Sequence, residues 1–106
     1  MDVLYALHAE ICKTFASAKR LEIINTLKDE EFTAKQLLER IKIGKANLSQ
    51  HMGLLVEKGV VISRKSGTNV FYRLSDAKIT KACELMREVL IKNMEQKNKI
   101  FMKLKK

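Results

Sequence analysis

The 106-residue sequence contains no proline and no tryptophan, and it has only four glycines and two cysteines. Two cysteines in a chain of this length are well below the density of a disulfide scaffold. Aromatic residues make up only 6% of the chain, which argues against an aromatic-rich ligand groove. No apolar run reaches the roughly 20 residues that a membrane span needs, and the first residues lack the basic start of a secretory signal. We therefore expect a cytoplasmic protein without a membrane partner.

Acidic residues are scarce in two segments, and this scarcity accounts for the formal net charge of +9. Residues 42–73 contain six basic residues and one acidic residue, and residues 92–106 have the same ratio. The rest of the chain is close to neutral. A basic protein gains affinity for DNA because it displaces the counterions of the phosphates. The charge distribution therefore favours nucleic acid as the partner.

The first third of the chain has the apolar spacing of two helices. Apolar residues three and four apart predict a first helix over residues 3–16. Ser17 is placed to cap a second helix, which should end at the acidic turn 29–31. Both helices are expected to contribute to the core.

A helix-turn-helix pattern follows. Thr33 and Gln36 have the spacing of a capping box, which predicts a short third helix over residues 33–41. The connector 42–44 contains a glycine, as connections between the two helices of this motif commonly do. A fourth helix is predicted over residues 45–58. Its inward-facing residues are expected to be Leu48, Met52, Leu55 and Val56.

The apolar period changes from 3.6 to 2 after Gly59, which is placed to end the fourth helix. Residues 60–64 and 69–74 are rich in β-branched and aromatic side chains, and residues 65–68 between them include a glycine. This pattern predicts a β-hairpin with a basic tip.

The remainder of the chain has the pattern of one long helix. An apolar stripe runs from Asp76 for more than 20 residues, and no proline or glycine interrupts it. Because one small core cannot cover so long a stripe, a second subunit is its expected cover. The whole chain, residues 1–106, is thus predicted to be one mainly α winged helix-turn-helix domain. Residues 93–106 form its basic helical extension.

The polar start of the fourth helix has the character of a recognition helix, which reads base edges from the major groove. Asparagine and glutamine side chains can each pair with adenine through two hydrogen bonds, and basic side chains of the hairpin can contact phosphates or the minor groove. A solvated polar face and ordinary strand charges are the alternative interpretations. The candidate DNA contacts are Lys45, Ala46, Asn47, Ser49, Gln50, His51, Arg64, Lys65 and Arg73.

Three strings of the sequence, AKRLEIINTL, ANLSQHMGLLVEKGVV and SRKSGTNVFYRLSD, resemble the ArsR/SmtB family of small repressors. The resemblance covers roughly residues 4–92 and departs from the family at Met52 and Gly53, which replace commoner residues. It implies a homodimer formed by the first and last helices. It also implies a repressor that binds a double-stranded, inverted-repeat operator and is released from it by an effector.

The resemblance supplies no metal site. Two positions correspond to the family's soft-metal cysteines, and four correspond to its final-helix ligands, of which only Asp76 matches. That lone aspartate is expected to be a helix cap, and no cofactor is expected. The two cysteine positions are occupied here by Thr33 and Lys35. The four final-helix positions are occupied by Asp76, Lys78, Val89 and Lys92.

Cys12 and Cys83 leave the effector open. They fit inert buried thiols, a redox or sulfur-responsive pair, or metal ligands together with His8, which lies four residues before Cys12. The inert interpretation predicts that both thiols react slowly in the native protein.

An enzyme is not expected. Neither histidine is accompanied by the nucleophile and orienting carboxylate of a catalytic group, and the chain has no glycine-rich phosphate loop. The alternative to a specific regulator is a nonspecific architectural or membrane-surface protein that uses the basic, partly apolar end of the chain.

Overall fold

The computed structural model describes residues 2–105, which fold into helices and one small antiparallel sheet. This is the predicted winged helix-turn-helix, with α3 and α4 as the two helices of the motif and the β2–β3 hairpin as the wing. None of the described helices is both long and apolar enough to cross a membrane. In chain order the elements are α1 (Asp2–Thr14), α2 (Ala18–Leu27), β1 (Phe32–Thr33), α3 (Ala34–Arg40), α4 (Lys45–Glu57), β2 (Val61–Ser66), β3 (Asn69–Leu74) and α5 (Lys78–Leu104).

Local capping chemistry sets the helix boundaries, as the sequence predicts. The Ser17 hydroxyl accepts a hydrogen bond from a backbone N–H in the first turn of α2. At the start of α3, the Thr33 hydroxyl accepts from the Gln36 N–H at 3.2 Å, and the Gln36 side chain accepts from the Thr33 N–H at 2.8 Å. Both halves of the capping box are therefore formed. Gly59 follows α4 with a φ of +76°, a conformation that favours glycine.

The wing is a hairpin with a shorter turn than the sequence predicts. Gly67 has a φ of +64° and supplies the turn. The predicted turn over residues 65–68 is wrong at its first half, because Lys65 and Ser66 still pair with β3. A two-residue turn matches the right-handed twist of the two strands better than a longer one, so the ladder continues to the tip.

The sheet has a third strand that the sequence pattern does not predict. β1 pairs antiparallel with β3, with Phe32 opposite Tyr72 and Thr33 opposite Phe71. β1 has only two residues, and Thr33 is also the cap of α3. It ties the start of the helix-turn-helix to the base of the wing.

The core lies between α2, α3, α4 and the sheet. The predicted inward positions Leu48, Met52 and Leu55 are buried, but the prediction for Val56 is wrong because it is 37% exposed. One helical step of about 100° past Leu55 carries Val56 away from the core. The buried apolar residues are Ile23, Ile24, Leu27, Phe32, Leu37, Ile41, Leu48, Met52, Leu55, Val60, Val61 and Leu74.

α1 does not belong to this core, contrary to the sequence-based expectation. Leu4 and Leu7 are exposed, and only the end of the predicted stripe, Ile11 and Phe15, is half-buried. The apolar period predicts a helix correctly, but it does not identify the surface that the helix packs against.

α5 projects from the domain with its apolar stripe uncovered. Its 27 residues correspond to a length of about 40 Å. The Asp76 carboxylate accepts a hydrogen bond from the Lys78 N–H at 2.8 Å, but the N-cap residue of α5 is Ala77, one residue later than the expected cap. The basic extension is helical as far as Leu104, and residue 106 lies outside the described residues. The exposed apolar residues of the stripe are Met86, Val89, Leu90, Met94, Ile100, Phe101 and Leu104.

Candidate nucleic-acid interface

The helix-turn-helix is held together from both sides of its connector. Leu37 of α3 and Leu48 of α4 are both buried in the core. On the outside, the Lys19 ammonium group donates a hydrogen bond to the Lys42 carbonyl oxygen at 2.7 Å. This bond ties the connector to the start of α2. The orientation of α4 relative to α3 is therefore fixed at the point where the two helices meet.

α4 presents one face to the core and the opposite face to solvent. Its buried side chains, Leu48, Met52 and Leu55, follow the three- and four-residue spacing of a helix. The candidate base-contacting side chains lie away from this face and are all exposed. They are Lys45, Ala46, Asn47, Ser49 and Gln50. The first two turns of α4 thus carry exposed amide, hydroxyl and ammonium groups on a helix whose other side is anchored.

His51 differs from these residues because it is half-buried and already has a partner. A guanidinium nitrogen of Arg20 lies 3.3 Å from His51 Nδ1. A guanidinium group can only donate hydrogen bonds, so Nδ1 accepts and the ring proton of a neutral His51 resides on Nε2. His51 therefore has one remaining ring group, a donor, to offer to a base or a phosphate.

Arg20 connects α4 to α1, and it was not among the candidates from the sequence. Its Nε donates to the Thr14 carbonyl oxygen at 2.6 Å, at the C-terminal end of α1. The same guanidinium group contacts His51 of α4, so one side chain joins α1, α2 and α4. The only sequence signal for it was its place in the string AKRLEIINTL.

The three basic residues of the wing do not share one surface. Side chains alternate between the two faces of a strand, and β3 places Arg73 opposite Ile62 and Phe71 opposite Arg64. Arg64 and Arg73 are therefore on one face of the hairpin. Lys65 lies on the other face.

The Lys65 face of the hairpin is directed towards the helix-turn-helix. Tyr72 is on this face, since it is opposite Ser63 in the ladder. Tyr72 also lines a cleft together with Lys35, Lys45 and Ser49. Three lysines, from α3, α4 and β2, are consequently on the side of the molecule where α4 begins.

Arg64 is held in an ion pair. Its Nε and one terminal nitrogen donate to the two Glu31 carboxylate oxygens at 2.9 and 2.8 Å. The guanidinium carbon also lies 4.5 Å from the centre of the Phe71 ring. The hydrogen bond from Arg64 lowers the pKa of Glu31 and the same bond raises the pKa of Arg64. A phosphate contact by Arg64 would require it to exchange this carboxylate, so its role in DNA binding stays a prediction.

The two thiols have different surroundings. Cys83 is half-buried against the core, and burial raises the pKa of its thiol. Cys12 is exposed in the single chain, so its burial depends on the proposed dimer and stays a prediction. His8 is exposed as well. Within residues 2–105, no group of three or more histidine, cysteine, aspartate or glutamate side chains is arranged to hold a metal ion, so the structure does not bring His8, Cys12 and Cys83 together.

Comparison with known proteins agrees with this architecture. Residues 15–64 match a family model described as a helix-turn-helix domain. The chain is 33% identical to the transcriptional activator HlyU of Vibrio cholerae over 74% of its own length and 73% of that protein. It belongs to the ArsR/SmtB family of winged helix-turn-helix transcriptional regulators.

Two further relatives of this ArsR/SmtB chain are informative. It is 40% identical to the biofilm growth-associated repressor of Xylella fastidiosa, over 66% of this chain and 61% of that protein. The match therefore spans less than two thirds of the repressor. The crystal structure of Rv0081 from Mycobacterium tuberculosis superposes with a TM-score of 0.80 at 30% identity, covering 89% of this chain and 95% of that one.

Proposed function

We propose that this ArsR/SmtB chain is a transcriptional repressor that binds an inverted-repeat DNA operator as a homodimer. One observation carries the proposal: the exposed amides of Asn47 and Gln50 lie on a helix whose opposite face is buried in the core. A recognition helix needs this combination, because a side chain discriminates between bases only when the helix that carries it has a fixed orientation.

The charge distribution supports DNA rather than another partner. Residues 42–73 carry six basic residues against one acidic residue, and the segment includes α4 and all of the wing except Leu74. Lys35, Lys45 and Lys65 are on the side where α4 begins. Phosphate contacts from such residues set the position of the protein on the duplex, whereas the amides of α4 provide the sequence preference.

Dimerisation follows from the uncovered apolar surface. α1 exposes Leu4 and Leu7, and α5 exposes its stripe from Met86 onwards. Apolar stripes that run along two exposed helices of a small protein are usually covered by a partner. A second copy of the chain would cover both helices and would place two copies of α4 against two half-sites.

Selection of bound duplexes from a random pool tests the function. A repressor of this class should enrich one short inverted repeat and should protect only that repeat in a footprint. A nonspecific architectural protein would protect any duplex without enrichment, and a membrane-surface protein would instead bind anionic vesicles through residues 92–105. Either of these results would contradict the proposal.

Asn47→Ala and Gln50→Ala are each expected to weaken binding to the selected operator by on the order of 1–3 kcal/mol and to relax the preference at one base pair. Lys65→Ala is the matched comparison, because a lysine contact to phosphate carries no sequence information. It should weaken all duplexes similarly and reduce the salt slope of log K by about one. Unchanged affinity and preference for Asn47→Ala would show that α4 does not read bases.

We propose that the two thiols are not required for operator binding. The Cys12→Ser/Cys83→Ser double variant should bind the operator within about twofold of the wild type. In the native dimer, where the second copy would cover α1 and α5, both thiols should react slowly with a thiol reagent, and burial raises the pKa of Cys83 and so reduces its thiolate fraction further. Reaction rates in denaturant, where both thiols are exposed, serve as the control.

Oxidation and metal removal test the two other interpretations of Cys12 and Cys83, which are a redox-responsive pair and a metal site shared with His8. Loss of operator affinity on mild oxidation, restored by a reductant and absent from the double variant, would make the thiols the effector site. Stoichiometric zinc in the purified protein, together with a change in operator affinity on chelation, would assign His8 and the cysteines to a metal site.

A further inference from the structure

Gly53 lies inside α4, where neither its backbone conformation nor packing within residues 2–105 requires a glycine. Its φ is not positive, since the positive-φ glycines of residues 2–105 are Gly59 and Gly67. A Cβ atom built on Gly53 meets no atom of residues 2–105 within 4 Å, apart from its chain neighbours and the backbone of its own helix. Glycine in a helix interior costs about 1 kcal/mol relative to alanine. The helix is therefore destabilised by a residue that neither backbone geometry nor internal packing explains.

The position of Gly53 relates it to the candidate base contacts. Gly53 follows Gln50 by three residues and Ser49 by four, so the three lie on one face of α4. Gly53 is exposed like both of them. Glu57 lies one turn further along the same face and is also exposed. A carboxylate is unfavourable beside phosphates, so the DNA-facing part of α4 should end between Gly53 and Glu57.

We infer that Gly53 is the point where bound DNA approaches the backbone of α4 most closely, and that its missing side chain sets how deeply α4 enters the major groove. This inference rests on the proposed operator binding. Gly53 is then a positioning residue: it acts through Asn47 and Gln50, whose short side chains reach base edges only when the helix is deep in the groove. A larger side chain at this position would stabilise the helix but would prevent that close approach, which explains why a glycine is present.

A series of substitutions at Gly53 tests the inference, because it separates helix stability from contact with DNA. Alanine and leucine have similar helix propensities but differ in volume. Gly53→Ala should raise the thermal midpoint by about 4 °C or more, yet it should weaken binding to the selected operator by about tenfold. Gly53→Leu should keep the raised midpoint and weaken operator binding by about a further tenfold. These factors correspond to about 1.4 kcal/mol each, within the range for overpacking a close contact.

A random duplex measured at the same salt concentration is the control, because nonspecific binding relies on phosphate contacts rather than on insertion of α4. Its affinity should change by less than about twofold in both variants. Operator binding by Gly53→Ala within about twofold of wild type would overturn the inference, and so would equal weakening of operator and random duplex. If the wild type shows no preference for any duplex, the proposed function itself fails, which is a separate result from the behaviour of the variants.

Discussion

Met86→Lys is expected to convert the proposed dimer into monomers and to abolish operator binding. Met86 is 70% exposed in the single chain and lies on the apolar stripe of α5. A lysine there would leave the fold of one chain intact, because Met86 is not part of the core. In a dimer it would place two unpaired charges in an apolar interface, and an uncompensated buried charge costs several kcal/mol.

Loss of the dimer should remove operator affinity because the proposed inverted-repeat operator would have two half-sites about one helical turn apart, which one rigid assembly must bind together. Sedimentation at micromolar concentration should report about twice the 12.2 kDa chain mass for the wild type and about the chain mass for Met86→Lys. Far-UV circular dichroism checks that the variant retains its helices.

Gln96→Lys provides a matched control for the added charge. Gln96 is an exposed residue of α5, and it lies beside Lys92 and Lys99 on the polar side of the helix at spacings of four and three. The variant should remain dimeric and should bind the operator at least as well as the wild type. A dimeric Met86→Lys protein would show instead that another surface joins the subunits.

The features predicted correctly from the sequence depend on chemistry between residues close together in the chain. The capping box joins Thr33 to Gln36, and the stop signal of α4 is the conformational freedom of Gly59. The apolar periods of α4 and α5 are likewise local. Because each signal is contained within one or two turns, the order of helices and the hairpin could be derived before any tertiary contact was known.

The features that were missed depend on contacts between distant residues. Glu31 and Arg64 are 33 residues apart, and Arg20 and His51 are 31 apart. In both pairs, the residues that are adjacent in the sequence do not indicate which distant residue is the partner. The strand β1 was missed for the same reason, because two residues carry no period and are defined only by their pairing with β3.

The exposed position of α1 has a different cause. Its apolar stripe is real, but a stripe only requires burial against some surface, and one chain supplies that surface only at Ile11 and Phe15. The same holds for Cys12, whose expected burial followed from placing α1 in an interface. In this family member the sequence specifies the helix, while the surface that covers it belongs to the proposed dimer.

Arg20→Ala is expected to lower both stability and operator affinity, because Arg20 joins three helices. Its loss leaves the Thr14 carbonyl oxygen and His51 Nδ1 without their donor. A hydrogen bond from a charged group contributes about 1.5–3 kcal/mol, and the partly exposed position of Arg20 places the summed effect on unfolding at on the order of 2–3 kcal/mol. Release of His51 also loosens the side of α4 that carries Asn47, so operator affinity should fall by about tenfold or more, or about 1.4 kcal/mol.

Lys19→Ala tests whether these effects belong to Arg20 rather than to any basic residue at the start of α2. Lys19 makes one exposed hydrogen bond, to the Lys42 carbonyl oxygen, and an exposed ion pair with Glu22 at 3.5 Å. Because both contacts are at the surface, removal of Lys19 should cost no more than about 1 kcal/mol. Arg20→Lys keeps the charge but cannot reproduce the fork that reaches α1 and α4 together, and it should restore little of the operator affinity. Urea denaturation and operator titration of the three variants provide the measurements. If Arg20→Lys bound the operator as tightly as the wild type, charge alone would explain the residue, and the coupling of α1 to α4 through its guanidinium group would be disproved.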